Sequence, residues 1–314
     1  MIVSQGFASV GTSFLGHPRN IPAIVSTNWL KGNLHRKNLV VLDVRDPTSY
    51  SAGHIPGAIN VPESMWYVNP PFGPDLPWME LPPDEYLFNL IGDAGITSGS
   101  RVVVVGSTSG SLDPTMPLAL HGVAGTTRVA ITLLYAGVRN VAILDGGYEK
   151  WVANGYSTES GTVTPTPVTY TGEVDETMFV SIEYVGNRIG KSVIVDARDH
   201  EVYCGYDHEP WNTQDGHIPT AENLPTPELL NIEEDGAGNA VYITYKKMGT
   251  LKKMVSNAVG NNKNKEIIVY CGVGGYASTA YFVLSEMLGY INVKIYDGSA
   301  QEWTAAPEKT VKKC

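Results

Sequence analysis

Three cysteines in 314 residues are too few for a disulfide framework, and none is expected. Charge is scarce as well: 17% of residues are charged, and 22 basic against 32 acidic side chains leave a formal net charge of -10. That shortage of cations excludes nucleic acid and anionic membrane surfaces as partners, because both require basic patches. The pairs Lys246-Lys247 and Lys252-Lys253 read as a solvated helix face. No run of 18 or more apolar residues occurs, so no membrane span is expected. Met1 to Pro22 lack a basic start followed by a sustained apolar stretch and do not read as an intact signal peptide. The compartment stays open: cytoplasmic as the sequence stands, extracytoplasmic if a leader was removed, which the low charge would suit. With 43% hydrophobic residues, the chain can build two cores of ordinary domain size.

What the sequence does have is a cysteine in an unusual setting. The apolar run Glu266-Ile267-Ile268-Val269-Tyr270 reads as a strand that delivers Cys271 into Gly272-Val273-Gly274-Gly275-Tyr276. A helix follows from Ala277 to Leu288, with Ala280, Phe282, Val283, Leu284, Met287 and Leu288 at helical spacing. The turn amides and the helix N-terminus would then face the sulfur and favour a thiolate, below the ordinary thiol value of about 8.5. Cys271 is therefore the candidate nucleophile. A buried structural cysteine is the alternative, which three nearby glycines oppose, since glycine packs poorly but permits close backbone approach. Cys204 sits in a polar loop and Cys314 ends a tail; neither is assigned a role.

The chain repeats itself. Val40-Val41-Leu42-Asp43-Val44-Arg45-Asp46 returns as Val193-Ile194-Val195-Asp196-Ala197-Arg198-Asp199, and Gly53-His54-Ile55-Pro56 as Gly216-His217-Ile218-Pro219. Leu144-Asp145-Gly146-Gly147 with Trp151 returns as Tyr296-Asp297-Gly298-Ser299 with Trp303. An offset of roughly 150 residues is too long for a solenoid repeat and fits a duplicated domain. Strands are expected at Val40–Val44, Arg101–Val105 and Val141–Leu144, then at Val193–Asp196, Ile267–Tyr270 and Val293–Tyr296. Helices are expected at Thr27–Leu34, Asp84–Ala94 and Thr126–Tyr135, so each half is an α/β domain with a mainly parallel sheet covered on both faces. The halves span residues 23–156 and 175–306, joined by a Ser/Thr/Gly/Pro-rich linker at 157–174. Asp75–Pro83 and Asn231–Val241 look like excursions outside the core, the second an exposed loop or hairpin. The first half's counterpart of the cysteine turn, Gly106-Ser107-Thr108-Ser109-Gly110, carries no cysteine.

These features together resemble the tandem-domain rhodaneses, the thiosulfate and mercaptopyruvate sulfurtransferases. The resemblance runs from Ser26 to about Trp303 and rests on both Asp-x-Arg strand ends, both Gly-His-Ile-Pro segments, both Asp-Gly-(Gly/Ser)-x-x-x-Trp segments and a six-residue loop opened by cysteine. It implies a sulfurtransferase with a catalytic second domain and an unarmed first domain that contributes one wall of the cleft. Cys271 would take a sulfane sulfur from a donor, hold it as a persulfide and pass it to a thiol, cyanide or protein-thiol acceptor. The amides of Gly272, Val273, Gly274, Gly275, Tyr276 and Ala277 would cradle the sulfur. The loop departs from the family in ways that bear on the donor. Thiosulfate-type loops resemble Cys-Arg-Lys-Gly-Val-Thr and mercaptopyruvate-type loops Cys-Gly-Ser-Gly-Val-Thr, whereas here Val273 holds the lysine or serine position and Gly275-Tyr276 replace Val-Thr. Two family arginines that clamp an anion align with Val202 and Trp211. Mercaptopyruvate is thus disfavoured, thiosulfate is expected at modest efficiency, and a polysulfide or protein persulfide fits at least as well.

Other residues admit two readings. Asp196 and Arg198 lie at the carboxyl edge of the second sheet, where open α/β sheets bind ligands, and are candidate substrate contacts. The intact copy at Asp43 and Arg45 favours an internal brace, above all for Arg198. His54 and His217 occur in the same turn of both copies and read as structural, and Trp151 and Trp303 as core or interface aromatics. Cys271, Cys204, His208 and His217 could be drawn as a zinc set, but their spacing is irregular, and no metal or organic cofactor is expected. A second functional class is a sulfur carrier or oxyanion-handling module serving a partner protein. A Cys-x5-Arg phosphatase is opposed by Ala277 in the arginine position.

Overall fold

Alternation of side chains along a buried strand sends neighbouring residues into different cores, and this builds both halves. In Arg101–Val105, Val103 and Val105 pack with Leu30, Tyr50 and Trp151 on one face. Val102 and Val104 pack on the other with Leu87, Leu90, Val129 and Leu133. The computed structural model describes residues 19–68, 71–72, 76–77, 79–113 and 117–314, with the backbone alone at 71–72 and 76–77. Its first five-stranded sheet has the order Ile24–Val25, Asn140–Leu144, Arg101–Val105, Leu39–Asp43, Ile59–Asn60. The second has Phe179–Val180, Val293–Tyr296, Ile267–Tyr270, Val193–Asp196, Ala221–Asn223, and every pair in both sheets is parallel. The two orders correspond strand for strand, so the duplication read in the sequence is a duplication of topology.

Three elements differ from expectation. The first domain's long helix begins at Leu118, eight residues before Thr126, and runs to Tyr135. Gly122 and Gly125 made its first turns read as loop, but both are there for close approach. A Cβ at Gly122 would meet the Ser107 carbonyl at 2.3 Å, and one at Gly125 the Glu63 carboxylate at 1.9 Å. This helix is long and apolar enough to cross a membrane by length and composition alone, yet 72% of it is buried inside the protein. The helix after the cysteine turn is α-helical over Gly275–Phe282 and widens to a π-turn at Val283–Met287. The third difference flanks the segment Asn231–Val241, which is a mostly exposed hairpin end as expected, with Ala240 alone buried. Its strands Leu230–Glu234 and Asn239–Tyr245 reach further: Ala240 pairs with Gly110 of the first domain, and the flanking Leu230, Ile243 and Tyr245 are buried.

The long helix Leu118–Tyr135 packs on Gly275–Phe282, and one hydrophobic cluster runs without a break from Val129 and Leu133 to Val269, Ala277 and Phe282. The domains also exchange backbone contacts. Tyr245 N–H donates to Asp145 (2.9 Å), and Leu81 N–H donates to Asp297 (3.1 Å). Each Asp-Gly motif thus accepts from the opposite domain. Leu81 belongs to the other expected excursion, of which Asp75 and Trp78 lie outside the described residues.

The segment expected as a linker lies along the first domain. Its Glu159 backbone pairs with His54 in both directions (2.8 and 2.9 Å), Trp151 Nε1 donates to the Ser157 carbonyl, and the buried Tyr170 donates to the Ala136 carbonyl. The C-terminal segment repeats this docking: Lys312 pairs with His217 in both directions, and Trp303 Nε1 donates to the Thr310 carbonyl. Here a bond absent from the first copy is added. Cys204 and Cys314, 110 positions apart, form a disulfide, so the expectation of three unpaired cysteines is corrected. Neither cysteine could be paired from sequence, because what aligns them is the His217–Lys312 bridge.

Candidate active site

Cys271 is the one cysteine outside the disulfide, and it sits where the strand Ile267–Tyr270 ends. The turn after it is fixed from behind. Ala300 N–H and Gln301 N–H donate to the carbonyls of Cys271 (2.9 Å) and Gly272 (3.1 Å), and Cys271 N–H donates to Ser299 Oγ (3.2 Å). Gly274 takes φ of 95°, a conformation that favours glycine, and caps the helix that follows. This aims Gly274 N–H at the sulfur, at 3.1 Å, with the amides of Val273 and Ala277 also turned toward it. Of the cradle expected at residues 272–277, the Gly274 amide bonds the sulfur, and the Ala277 and Val273 amides act with it to lower the thiol's proton affinity.

The electrostatics differ from expectation. Burial pushes the Cys271 thiol up; the Ala277 amide opposes this, and the charge of Glu209 adds to it. The expected depressed thiolate is thus corrected: only 3% of Cys271 is exposed, and desolvation outweighs the amides. Glu209 and Trp211 lie on the backbone of the next residue. From the position a Cβ on Gly272 would take, Trp211 Nε1 is 2.6 Å away and the Glu209 oxygens are 2.8 and 3.0 Å away. Glu209 also accepts from Arg198 Nη1 (3.2 Å) and Asn212 Nδ2 (3.1 Å).

Asp196 and Arg198 do not present themselves to a donor, which corrects their assignment as substrate contacts. Arg198 donates from Nε to Asp196 Oδ1 (2.9 Å), and from Nη2 to Asp196 Oδ2 (2.6 Å) and the Gly216 carbonyl (2.8 Å). Arg45 makes the same contacts with Asp43 (3.0 and 2.6 Å) and the Gly53 carbonyl (2.8 Å). The second copy adds one link toward the cysteine: Tyr270 OH donates to Asp196 Oδ2 (2.6 Å), tying the brace to the residue before Cys271. His54 and His217 accept structural roles, their Nδ1 atoms meeting the carbonyls of Tyr50 (3.1 Å) and Tyr203 (2.8 Å) while their rings stack on the same tyrosines. The drawn zinc set is not brought together, since Cys204 is bonded to Cys314 and His208 meets Asp215.

Sequence reasoning expected a first-domain wall but named none of the residues that approach the turn. Arg128, fully buried on the long helix, binds Asp297 through Nη1 and through Nη2 (2.9 Å), and its Nη1 is 3.3 Å from the Cβ position of Gly274. Burial lowers the affinity of Arg128 for its proton, and Asp297 more than restores it. Ala124 and Met79 approach the Cβ position of Gly275 at 3.5 and 3.8 Å, and the His121 ring is 6.4 Å from that of Tyr276. Glu80, pushed up to about 8 by burial and then by Asp297, lies beside the pair. The repeated Asp297 was the available signal, since a motif retained in both copies at a domain face needs a partner.

In the first domain, Gly106 stands at the strand end where the second domain has Cys271, and the turn is closed by an internal anion. Glu149 accepts from Ser107 Oγ (2.8 Å), Thr108 N–H (2.8 Å) and Thr108 Oγ1 (3.2 Å). An open cleft of about 1000 Å³ lies over this unarmed turn, lined by Arg45, Glu63, Ser107, His121, Tyr148 and Glu149. Its size does not make it the reactive centre, because it holds no nucleophile comparable to Cys271.

The rhodanese-like domain family matches the chain twice, at residues 26–154 and 181–306. A Synechococcus elongatus protein named provisionally as a thiosulfate sulfurtransferase is 31% identical over 90% of this chain and 82% of its own length. The sulfur carrier protein TtuD of Thermus thermophilus is 29% identical over 91% of this chain and 94% of its own. Among solved structures, an anaerobic ergothioneine biosynthesis enzyme from Chlorobium limicola, in complex with trimethyl histidine, shares the fold. Its TM-score is 0.75 at 22% identity, covering 93% of this chain and 70% of that one.

Proposed function

The chain belongs to the rhodanese-like family in both of its halves, and on that premise we propose that it is a sulfurtransferase working through a Cys271 persulfide. Cys271 Sγ attacks the sulfane sulfur of a donor. A new S–S bond forms, the donor's bond to that sulfur breaks, and the leaving group departs with the electron pair. In the second half-reaction a thiol, cyanide or protein thiol takes the outer sulfur, and Cys271 leaves with the pair. The amides of Val273, Gly274 and Ala277 stabilise the sulfur anion that each half-reaction creates or releases. Asp196 and Arg198 act behind the site, holding Tyr270 and hence the strand end in place.

The observation that carries this reading is the Gly274 N–H directed at the Cys271 sulfur at 3.1 Å, in a turn anchored by the Ser299–Ala305 helix. Its test is intact-mass spectrometry after separate incubation with thiosulfate, mercaptopyruvate and polysulfide. One of them should add the mass of one sulfur to the parent protein and none should add it to Cys271→Ser, whose hydroxyl holds no sulfane sulfur. Sulfur on the Cys271→Ser protein, or on no protein with any donor, refutes the reading. The carrier reading has support from the relative TtuD, and it is distinguished by discharge of the loaded sulfur to a protein thiol but not to cyanide.

A further inference from the structure

Every described cation near the cysteine turn is already answered by a carboxylate. Arg128 gives both terminal nitrogens to Asp297. Arg198 gives Nε and Nη2 to Asp196 and the Gly216 carbonyl, and then meets a second carboxylate, that of Glu209. The turn 271–277 has no lysine, arginine or histidine of its own. Glu209 is therefore the carboxyl left in excess at the site; burial raises its proton affinity and Arg198 opposes this. It lies against the backbone of the residue after Cys271, with its side chain only 17% exposed. Trp211 covers the same spot with an indole, whose hydrogen bond to Glu209 favours the carboxylate.

Resting on the sulfurtransferase reading, we infer that Glu209 is a specificity-determining residue, which turns the Cys271 site away from anionic sulfur donors and toward persulfides of neutral or cationic thiols. A dianion such as thiosulfate brings two negative charges toward a half-buried carboxylate, in surroundings that screen less than water. A neutral hydropersulfide, RS–SH, brings none. Its reaction balances without an oxidant: Cys271–SH and RS–SH give Cys271–S–SH and RSH. The bond from Sγ to the outer sulfur forms as the donor's S–S bond breaks, and the thiol proton of Cys271 ends on the departing sulfur. A cationic R group would be drawn to Glu209 and could lie on the Trp211 face.

The test compares kcat/KM for thiosulfate and for cysteamine persulfide, read as sulfur gained by Cys271, in the parent protein, Glu209→Gln and Trp211→Arg. The parent should prefer the persulfide. Glu209→Gln should shift the ratio toward thiosulfate by about tenfold or more, because one unit of negative charge is removed beside the reacting sulfur. Trp211→Arg keeps Glu209 and its bond to Arg198 but sets a guanidinium against the carboxylate, so it should shift the ratio the same way even if the glutamine variant folds poorly. An unchanged ratio in Trp211→Arg, or in a folded Glu209→Gln, overturns the inference while leaving the sulfurtransferase reading intact. Failure of both donors to load the parent's Cys271 overturns that reading instead.

Discussion

Replacing Arg128 with methionine should separate the two domains energetically and disturb the cysteine turn from the opposite side of the interface. The guanidinium is fully buried and the Asp297 side chain is 8% exposed, so methionine leaves a carboxylate with only Leu81 N–H and the Glu80 carboxyl as described partners. Breaking a buried ion pair from one side costs about 3–5 kcal/mol, because the stranded charge keeps its desolvation penalty. At roughly 2–4 °C per kcal/mol, an upper range for a chain of 314 residues, the melting temperature should fall by about 6–20 °C. Removing both charges should be far milder. In the double variant Arg128→Met/Asp297→Asn, the side-chain amide carbonyl introduced at position 297 can still accept from Leu81 N–H, and most of the loss should return. Urea denaturation of the parent, both single variants and the double variant gives the coupling energy directly. A loss below about 1 kcal/mol in Arg128→Met, or a double variant as unstable as the sum of the singles, would refute the reasoning.

Reduction of the Cys204–Cys314 bond, or Cys204→Ser, should lower stability by about 2–4 kcal/mol, since the bond closes a long loop in the unfolded chain; equal melting temperatures with and without reductant would count against it. Alkylation of Cys271 by neutral iodoacetamide should keep accelerating as pH rises past the ordinary thiol range, because burial holds the proton on the sulfur. A plateau reached below about pH 8 would contradict that assignment. Glu149→Ala strands Ser107 and Thr108 and should cost about 1–3 kcal/mol while leaving sulfur loading of Cys271 unchanged. Loss of loading without loss of stability would show that the first-domain turn takes part in the chemistry.

The features legible in the sequence were those set by local pattern. Arg101–Val105, Val193–Asp196, Ile267–Tyr270 and Val293–Tyr296 form at the expected residues because short runs so rich in β-branched and apolar residues have few alternatives. The Asp-x-Arg brace was legible because its duplicate stands in a domain without a nucleophile. What escaped was set by packing at a distance. The first turns of Leu118–Tyr135 read as loop because their glycines serve neighbours, Ser107 and Glu63, that no window of sequence contains. The thiol's upward shift escaped because a strand, a glycine turn and a helix start argue for a low value, whereas the desolvation that wins comes from tertiary burial of the sulfur, which no local window of sequence contains. Glu209 escaped because its neighbour, Gly272, has no side chain and so leaves no pattern pointing back to it.

The disulfide at Cys314 also decides how a pulling force would enter this protein. Tension on a chain fused after residue 314 cannot peel the last strand segment away from His217 one pair at a time, because the covalent bond takes the load first. The load passes to the short helix His200–Cys204, whose next residues lead to Glu209 and Trp211 on the backbone of Gly272. In the oxidised protein an anchor at that end is therefore in mechanical series with the cysteine turn. In the reduced protein the Lys312–His217 pairing yields first and the turn is unloaded, so thiol chemistry far from Cys271 sets whether a tethered molecule feels its tether at the sulfur.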